Sequence, residues 1–366
     1  MINGKALLWL ALSSMALAGS GMPAWAARKP GGETPDPCIG AASRGFPSFG
    51  FNRPSSGQVT WEYRFADQEG KCDTLVWSSS WNVRYADVTI RYDAVSATGV
   101  AVASGGADGG LVAAEFAVDF DANGRPTVAA DPFQTILTRE GLAAQPLPDD
   151  PLLADWQLGS MGGAQVGPSG TAVLFTTVDT AWTTTVHWIC ALAIPIDPAT
   201  CNVVYYRSNA DAGFVSALWG GRGDSIYFTA RASSGSGDSL YRKALGGSGV
   251  DELFSRGTSL TAAATTVRNG VELVVIREAA ACPNQIVLDA DTCDAGLNNC
   301  SILNGAGHIG AAGLTWLPDG RVAVEQMSIG RRGSCTRNGM IAAFQPTDTN
   351  GSLTTLVKGE SPDGAN

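Results

Sequence analysis

A turn that returns at nearly constant spacing limits what this chain can fold into. Its clearest copy is Leu314-Thr315-Trp316-Leu317-Pro318-Asp319-Gly320-Arg321-Val322-Ala323-Val324, an apolar run, a Pro-Asp-Gly turn and a second apolar run. Proline presets φ at the start of such a turn, and glycine reaches the positive φ that closes it. Weaker copies end at Gly70, Gly124, Gly170, Gly223 and Gly270, so successive turn glycines lie 54, 46, 53, 47 and 50 residues apart. A supersecondary unit repeated at this period cannot bury its apolar face alone and must stack on its neighbours.

The residues after each turn resume β alternation. Ala172-Val173-Leu174-Phe175, Ser225-Ile226-Tyr227-Phe228 and Glu272-Leu273-Val274-Val275-Ile276 are β-branched or aromatic runs, and Asp238-Ser239-Leu240-Tyr241-Arg242 supplies a following strand. No long 3.6-residue apolar pattern follows the N-terminal segment, which argues against βαβ units. The expected fold is all-β: a six-bladed β-propeller of four-stranded antiparallel blades over residues 56–361.

Trp316-Leu317-Pro318-Asp319-Gly320-Arg321 resembles the Trp-Ser-Pro-Asp-Gly-Lys turn of TolB-like propeller repeats, and Ala217–Phe254 is similar to a whole such repeat. The copy at Gly167-Pro168-Ser169-Gly170 is shorter, and the one at Gly270 lacks both Pro and Asp. The resemblance implies a propeller without the α/β domain that precedes it in TolB. It bears on fold more than on function.

Residues 1–26 read as a secretory signal: Lys5, an apolar run from Ala6 to Leu17, and a small-x-small site at Ala24-Trp25-Ala26. The apolar run is too short for a transmembrane anchor, which needs about 20 residues. Ser20 stands where a lipoprotein box requires Cys. Residues 27–55, rich in Pro, Gly and small side chains, read as a linker or N-terminal wrap. The expected location is periplasmic or secreted. A formal net charge of −10 disfavours nucleic acid as a partner.

Cys38, Cys72, Cys190, Cys201, Cys282, Cys293, Cys300 and Cys335 all follow the signal, and an even count in an exported chain implies disulfides. Eight cysteines allow 105 connectivities. Cys190–Cys201 across one hairpin is the safest pair. Cys38–Cys72, Cys293–Cys300 and Cys282–Cys335 are favoured for the rest.

Asp119-Phe120-Asp121-Ala122-Asn123-Gly124 begins like a calcium loop, with Asp119, Asp121 and Asn123 as the candidate ligands. The distal carboxylate is missing, since Ala130 holds the twelfth loop position; the competing reading is a plain blade turn. Gly305-Ala306-Gly307-His308-Ile309-Gly310 matches a dinucleotide pattern, but a strand follows where a helix should. Arg222-Gly223-Asp224 is an integrin-type tripeptide that coincides with a repeat turn. His187 and His308 are the imidazoles available as general bases, and no Gly-x-Ser-x-Gly elbow is present. His308 and Trp156 are the loop positions named for ligand binding. Trp219 and Trp316, at equivalent pre-turn positions, are expected to pack between blades, and Trp156, Trp182 and Trp188 also read as core.

The functional expectation is a non-enzymatic binding or scaffold protein, acting as a monomer and presenting one face to a protein or envelope polymer. The alternative is a lactonase-like or carbohydrate-active enzyme with a metal or carboxylates in the central channel.

Overall fold

The computed structural model describes residues 49–54, 61–66, 73–79, 87–92, 96–105, 108–120, 126–209, 217–232, 237–278, 284–293, 300–303, 308–317, 319–329, 335–347, 353–358 and 360–364. They belong to the unit Pro37–Asn366; Met1–Asp36 forms a separate unit, so the signal-like segment lies outside the described residues.

The repeat glycines adopt the conformation their positions demand, with φ of 67° at Gly170, 76° at Gly223, 82° at Gly270 and 89° at Gly320. Three of these turns close with the same pair of bonds. Gly170 N donates to Gly167 O at 2.8 Å, Gly223 N to Gly220 O at 2.9 Å and Gly320 N to Leu317 O at 2.9 Å. Gly167, Gly220 and Leu317 in turn donate to Ala172, Ser225 and Arg321, each at 2.8 Å. Gly70 and Gly124 lie outside the described residues.

The strands are antiparallel to their neighbours throughout. β1 (Phe49–Pro54), β2 (Trp61–Ala66) and β3 (Asp73–Ser79) form the first sheet, completed by the C-terminal β25 (Glu360–Gly364) in the order β25-β1-β2-β3. Residues 49–54, inside the stretch read as a linker, are thus a sheet strand, and the final strand runs past 361. Pro362 is accommodated because β25 is an edge strand. The second sheet holds β4 (Asp87–Tyr92), β5 (Ser96–Ser104), β6 (Leu111–Phe120) and β7 (Pro126–Ala130), with β8 (Gln134–Leu137) also paired to β6. A short helix α1 (Arg139–Ala143) follows, capped by Thr138 Oγ1 accepting from Gly141 N. The third sheet is β9 (Leu158–Val166), β10 (Ala172–Asp179), β11 (Thr184–Ala191) and β12 (Asn202–Ser208). The fourth is β13 (Leu218–Trp219), β14 (Ser225–Arg231), β15 (Asp238–Ala244) and β16 (Asp251–Arg256).

The fifth sheet corrects the expectation of six separate blades, because hydrogen bonding divides the described strands into five sheets. It joins β17 (Leu260–Arg268), β18 (Val271–Glu278), β19 (Asn284–Asp289) and β20 (Ser301–Ile302) to β21 (His308–Trp316), β22 (Val322–Ile329), β23 (Cys335–Phe344) and β24 (Thr354–Lys358). The cause is local. β21 begins alongside β19, and the pairs Asn284↔Ile309 and Gln285↔His308 carry the ladder across.

The cores lie between successive units, and the central strands serve two cores at once. In β10, Val173 and Phe175 join Val102 and Leu111 of the second sheet, whereas Leu174 joins Trp219, Ile226 and Phe228 of the fourth. In β18, Val274 and Ile276 meet Tyr227 and Leu240, whereas Leu273 and Val275 meet Trp316, Val324 and Phe344. Successive side chains point to opposite faces of a strand, so a run buried at every position means a sheet covered on both sides. Each such Val, Leu or Phe contributes about 1.5–3 kcal/mol by leaving water. Ala66 packs with Leu317, Ala323 and Ile341, which ties the last strands to the first sheet. β4, β9, β13, β17, β21 and β25 each lie against the next in that order, and β25 lies against β4, closing the propeller. Trp219 and Trp316, 5% and 3% exposed, pack between units as their pre-turn positions suggested. Among the described residues no helix is long and apolar enough to cross a membrane.

Candidate functional site

A cleft of about 800 Å³ opens between the second and third sheets. Its floor is the middle of β5 and β6, where Val100 and the buried Phe116 supply apolar surface. One end is the exit of β7, where Asp131 N donates to Glu115 O at 2.9 Å. That bond places two exposed carboxylates, Glu115 and Asp131, on adjoining backbone at the cleft wall. The opposite wall is the segment Leu192–Ile194 that leaves β11.

This second wall is held at several points. Leu192 N donates to Thr171 O at 2.9 Å, and Ile196 N donates to Ile136 O at 2.8 Å. Asp197 Oδ1 accepts from Ala199 N at 3.0 Å, fixing the turn that follows. The Cys190–Cys201 disulfide, spanning 11 residues, staples the base of the segment. The cleft is therefore pre-formed. Carboxylates that only accept hydrogen bonds, set beside apolar side chains, suit a cationic group carried on an apolar stem.

The residues named from sequence do not gather at this cleft. Trp156 packs on the core cluster of the second and third sheets, its ring 6.3 Å from that of Trp188, and its Nε1 is buried without a hydrogen-bond partner. His308 opens β21, where its backbone pairs with Gln285. Asp119 is exposed near the end of β6, opposite Thr127, whose Oγ1 donates to Asp119 O at 3.3 Å. Asp121 and Asn123 lie outside the described residues, and among those described no three His, Cys, Asp or Glu side chains gather as a metal site. Cys190–Cys201 and Cys293–Cys300 are bonded as expected. Cys335 is also disulfide-bonded. Cys38, Cys72 and Cys282, and with them the other two pairings, lie outside the described residues.

His187 is fully buried on β11. Its Nδ1 lies 3.0 Å from Thr176 Oγ1, Nε2 has no hydrogen-bond partner, and the ring stacks on Tyr205. Burial, aided by the charge of Arg207, lowers its pKa to about 3, so the imidazole is neutral and closed to solvent. That is a packed histidine, not an accessible base.

Arg222 of the Arg-Gly-Asp tripeptide is engaged within the protein. Its guanidinium makes two 2.6 Å bonds to Asp291 and a 2.8 Å bond to Gly270 O. It also lies 3.7 Å from Glu272, a carboxylate only 2% exposed. Glu272 accepts from Tyr227 Oη at 2.7 Å and from Arg222 N at 3.2 Å. The hydrogen bonds to Arg222 hold the Asp291 carboxyl below its usual range, and burial followed by the Glu272 charge pushes the Tyr227 phenol up. This network joins the fourth sheet to the fifth.

Sequence reasoning missed Glu115 and Asp131. The one available signal was the charge of Glu115 interrupting the apolar run Leu111–Val118. Nothing along the chain connects it to Asp131; the β6–β7 pairing, with Phe116 opposite Ala130, brings them together.

No protein-family model matches the sequence, and no curated protein matches it. Among solved structures, a puromycin hydrolase superposes with a TM-score of 0.47 at 12% identity, covering 89% of this chain and 55% of that one. The periplasmic gluconolactonase of Pseudomonas aeruginosa gives 0.40 at 12%, covering 86% of this chain and 97% of that one. A TolB of Agrobacterium tumefaciens gives 0.39 at 12%, covering 71% and 81%. This chain spans about half the length of the puromycin hydrolase. With every score below 0.5, the propeller assignment rests on the chain's own strand order and packing.

Proposed function

We propose that this chain is an exported, non-enzymatic binding protein that takes basic side chains of a peptide or protein partner into the cleft beside Glu115 and Asp131. The observation that carries this reading is the cleft itself: pre-formed walls, an apolar floor and two exposed carboxylates. Disulfide pairing supports export, since such bonds persist in oxidising compartments. The scaffold is a TolB-like propeller in which the eight-stranded sheet works as two blades. In support, its halves pack face to face through Val275, Val287, Trp316 and Phe344.

Calorimetric titration with pentalysine and with a neutral peptide of equal length tests the proposal. Pentalysine should bind more tightly, and its affinity should fall as salt is raised. Exposed charge pairs contribute about 0.2–1 kcal/mol each, so Glu115→Gln and Asp131→Asn should each weaken binding by up to about fivefold. Equal affinity for both peptides, or a double variant that binds as well as the parent, would sink the idea. Turnover of a glycoside or lactone that Glu115→Gln abolished would replace binding by catalysis.

A further inference from the structure

We propose a second ligand site, for a neutral saccharide chain, on the hairpin that joins β10 to β11, with the Trp182 indole as its stacking platform. Trp182 is 58% exposed, more than any other large apolar side chain among the described residues. It also has φ of 59°, a left-handed conformation that bulky residues seldom adopt. Such strain persists only where the surroundings over-determine it, and here they do. Trp182 N donates to Asp179 O at 3.1 Å. Asp179 Oδ1 accepts from Thr183 N at 2.7 Å and Thr184 N at 2.9 Å, and its Oδ2 accepts from Thr183 Oγ1 at 2.6 Å. From the far side, Asn209 Nδ2 donates to Trp182 O at 3.1 Å, and Asn209 N donates to Thr183 O at 2.6 Å. Six bonds thus hold the backbone around an aromatic side chain that faces water.

The surroundings select the occupant. Thr180 and Gln157 are both exposed and are joined by the bond from Thr180 N to Gln157 O, 2.9 Å. A hydroxyl and a carboxamide therefore stand near the indole. A protein partner would need an apolar patch of several hundred Å², far more than one ring offers. A pyranose ring lays its axial C–H face on an indole and offers its hydroxyls to neighbouring amides and hydroxyls. The polar tip and apolar body of Trp suit such a half-wet contact. An unsubstituted, equatorially linked hexose chain has the flat face that this requires.

Titration with pentasaccharides of β-1,4-linked glucose and of β-1,4-linked N-acetylglucosamine, followed by calorimetry, tests the site. At least one should bind saturably, lose tenfold or more in affinity in Trp182→Gly, and stay within about threefold in Trp182→Tyr, which keeps a flat ring. Glycine suits φ of 59°, so Trp182→Gly should melt no lower than the parent, which separates a lost platform from a lost fold. The sugar should not compete with pentalysine for the cleft, so either site can fail alone. Absence of binding to both pentasaccharides, or unchanged affinity in Trp182→Gly, overturns the proposal.

Discussion

Replacing His187 by Phe should flatten the acid side of the stability profile. In the native protein burial and the Arg207 charge hold the imidazole pKa at about 3, against 6.5 for the unperturbed group. The unfolded chain therefore takes up a proton first as pH falls. The contribution of neutral His187 is complete above the unfolded value, erodes as pH drops through 6.5, and is gone below 3. Between pH 7 and pH 4.5 this linkage removes about 2.5 kcal/mol, a large share of a typical domain's 5–15 kcal/mol. Phenylalanine keeps the stacked neighbours, Tyr205 at 5.9 Å and Phe228 at 5.8 Å. It eliminates the unpartnered Nε2 but leaves the Thr176 hydroxyl without its partner, a cost of about 1 kcal/mol. Urea unfolding of both proteins, disulfides intact, at pH 7 and 4.5 gives the readout, because titrations common to both cancel in the difference. The variant should gain about 2.5 kcal/mol on the parent over that interval. If the two proteins lost stability in parallel, the neutral, closed imidazole would be refuted.

Three further perturbations address the turn, the inter-sheet network and the cleft wall. Gly320→Ala should cost about 1–2 kcal/mol in thermal unfolding, because the residue sits at φ of 89° although no atom crowds a new Cβ. Gly257→Ala, equally uncrowded but outside the left-handed region, should be neutral or stabilising by up to about 1 kcal/mol. Arg222→Ala leaves the buried Glu272 without its counter-charge and should cost about 1–2 kcal/mol, less than a fully buried pair because the guanidinium is 37% exposed; Arg222→Lys should recover only part of this, since an ammonium cannot make the paired contact to Asp291. The Cys190→Ser/Cys201→Ser double variant opens an 11-residue loop, should lose about 3 kcal/mol by chain-entropy reasoning, and should weaken pentalysine binding as Leu192–Ile194 loosens.

What the sequence made legible was local. A positive φ is a property of one residue, so the glycines at 170, 223, 270 and 320 announced their turns. Cys190–Cys201 and Cys293–Cys300 are 11 and 7 residues apart, within reach of a single hairpin or loop. What stayed hidden depends on partners far along the chain. Glu360-Ser361-Pro362-Asp363-Gly364 has the composition of a loop, and becomes a strand because Phe49–Pro54 offers it an edge. The ladder across Asn284 and Ile309 that fuses two expected sheets uses backbone groups, which every residue carries. Glu115 and Asp131 are separate strand-end acids until a hairpin sets them side by side.

The same division explains where function has room to sit. Residues such as Val173, Leu174 and Phe175 are committed to packing on both faces of their sheet, so a shift of one residue would exchange the two cores rather than expose one. Substitution there is felt twice, which leaves the central strands poor ground for a ligand site. The repeat turns are committed as well: Trp219 Nε1 donates to Gln165 O of the preceding sheet at 3.3 Å, and Arg268 donates to Leu317 O of the following turn. Freedom to vary remains in segments outside the repeat, such as Leu192–Ile194, and at hairpin tips such as Trp182. Both are rigid, yet neither forms the wall of a core. A recurring turn can therefore define the scaffold while carrying little information about the ligand, because the positions that repeat are the ones packing has already claimed.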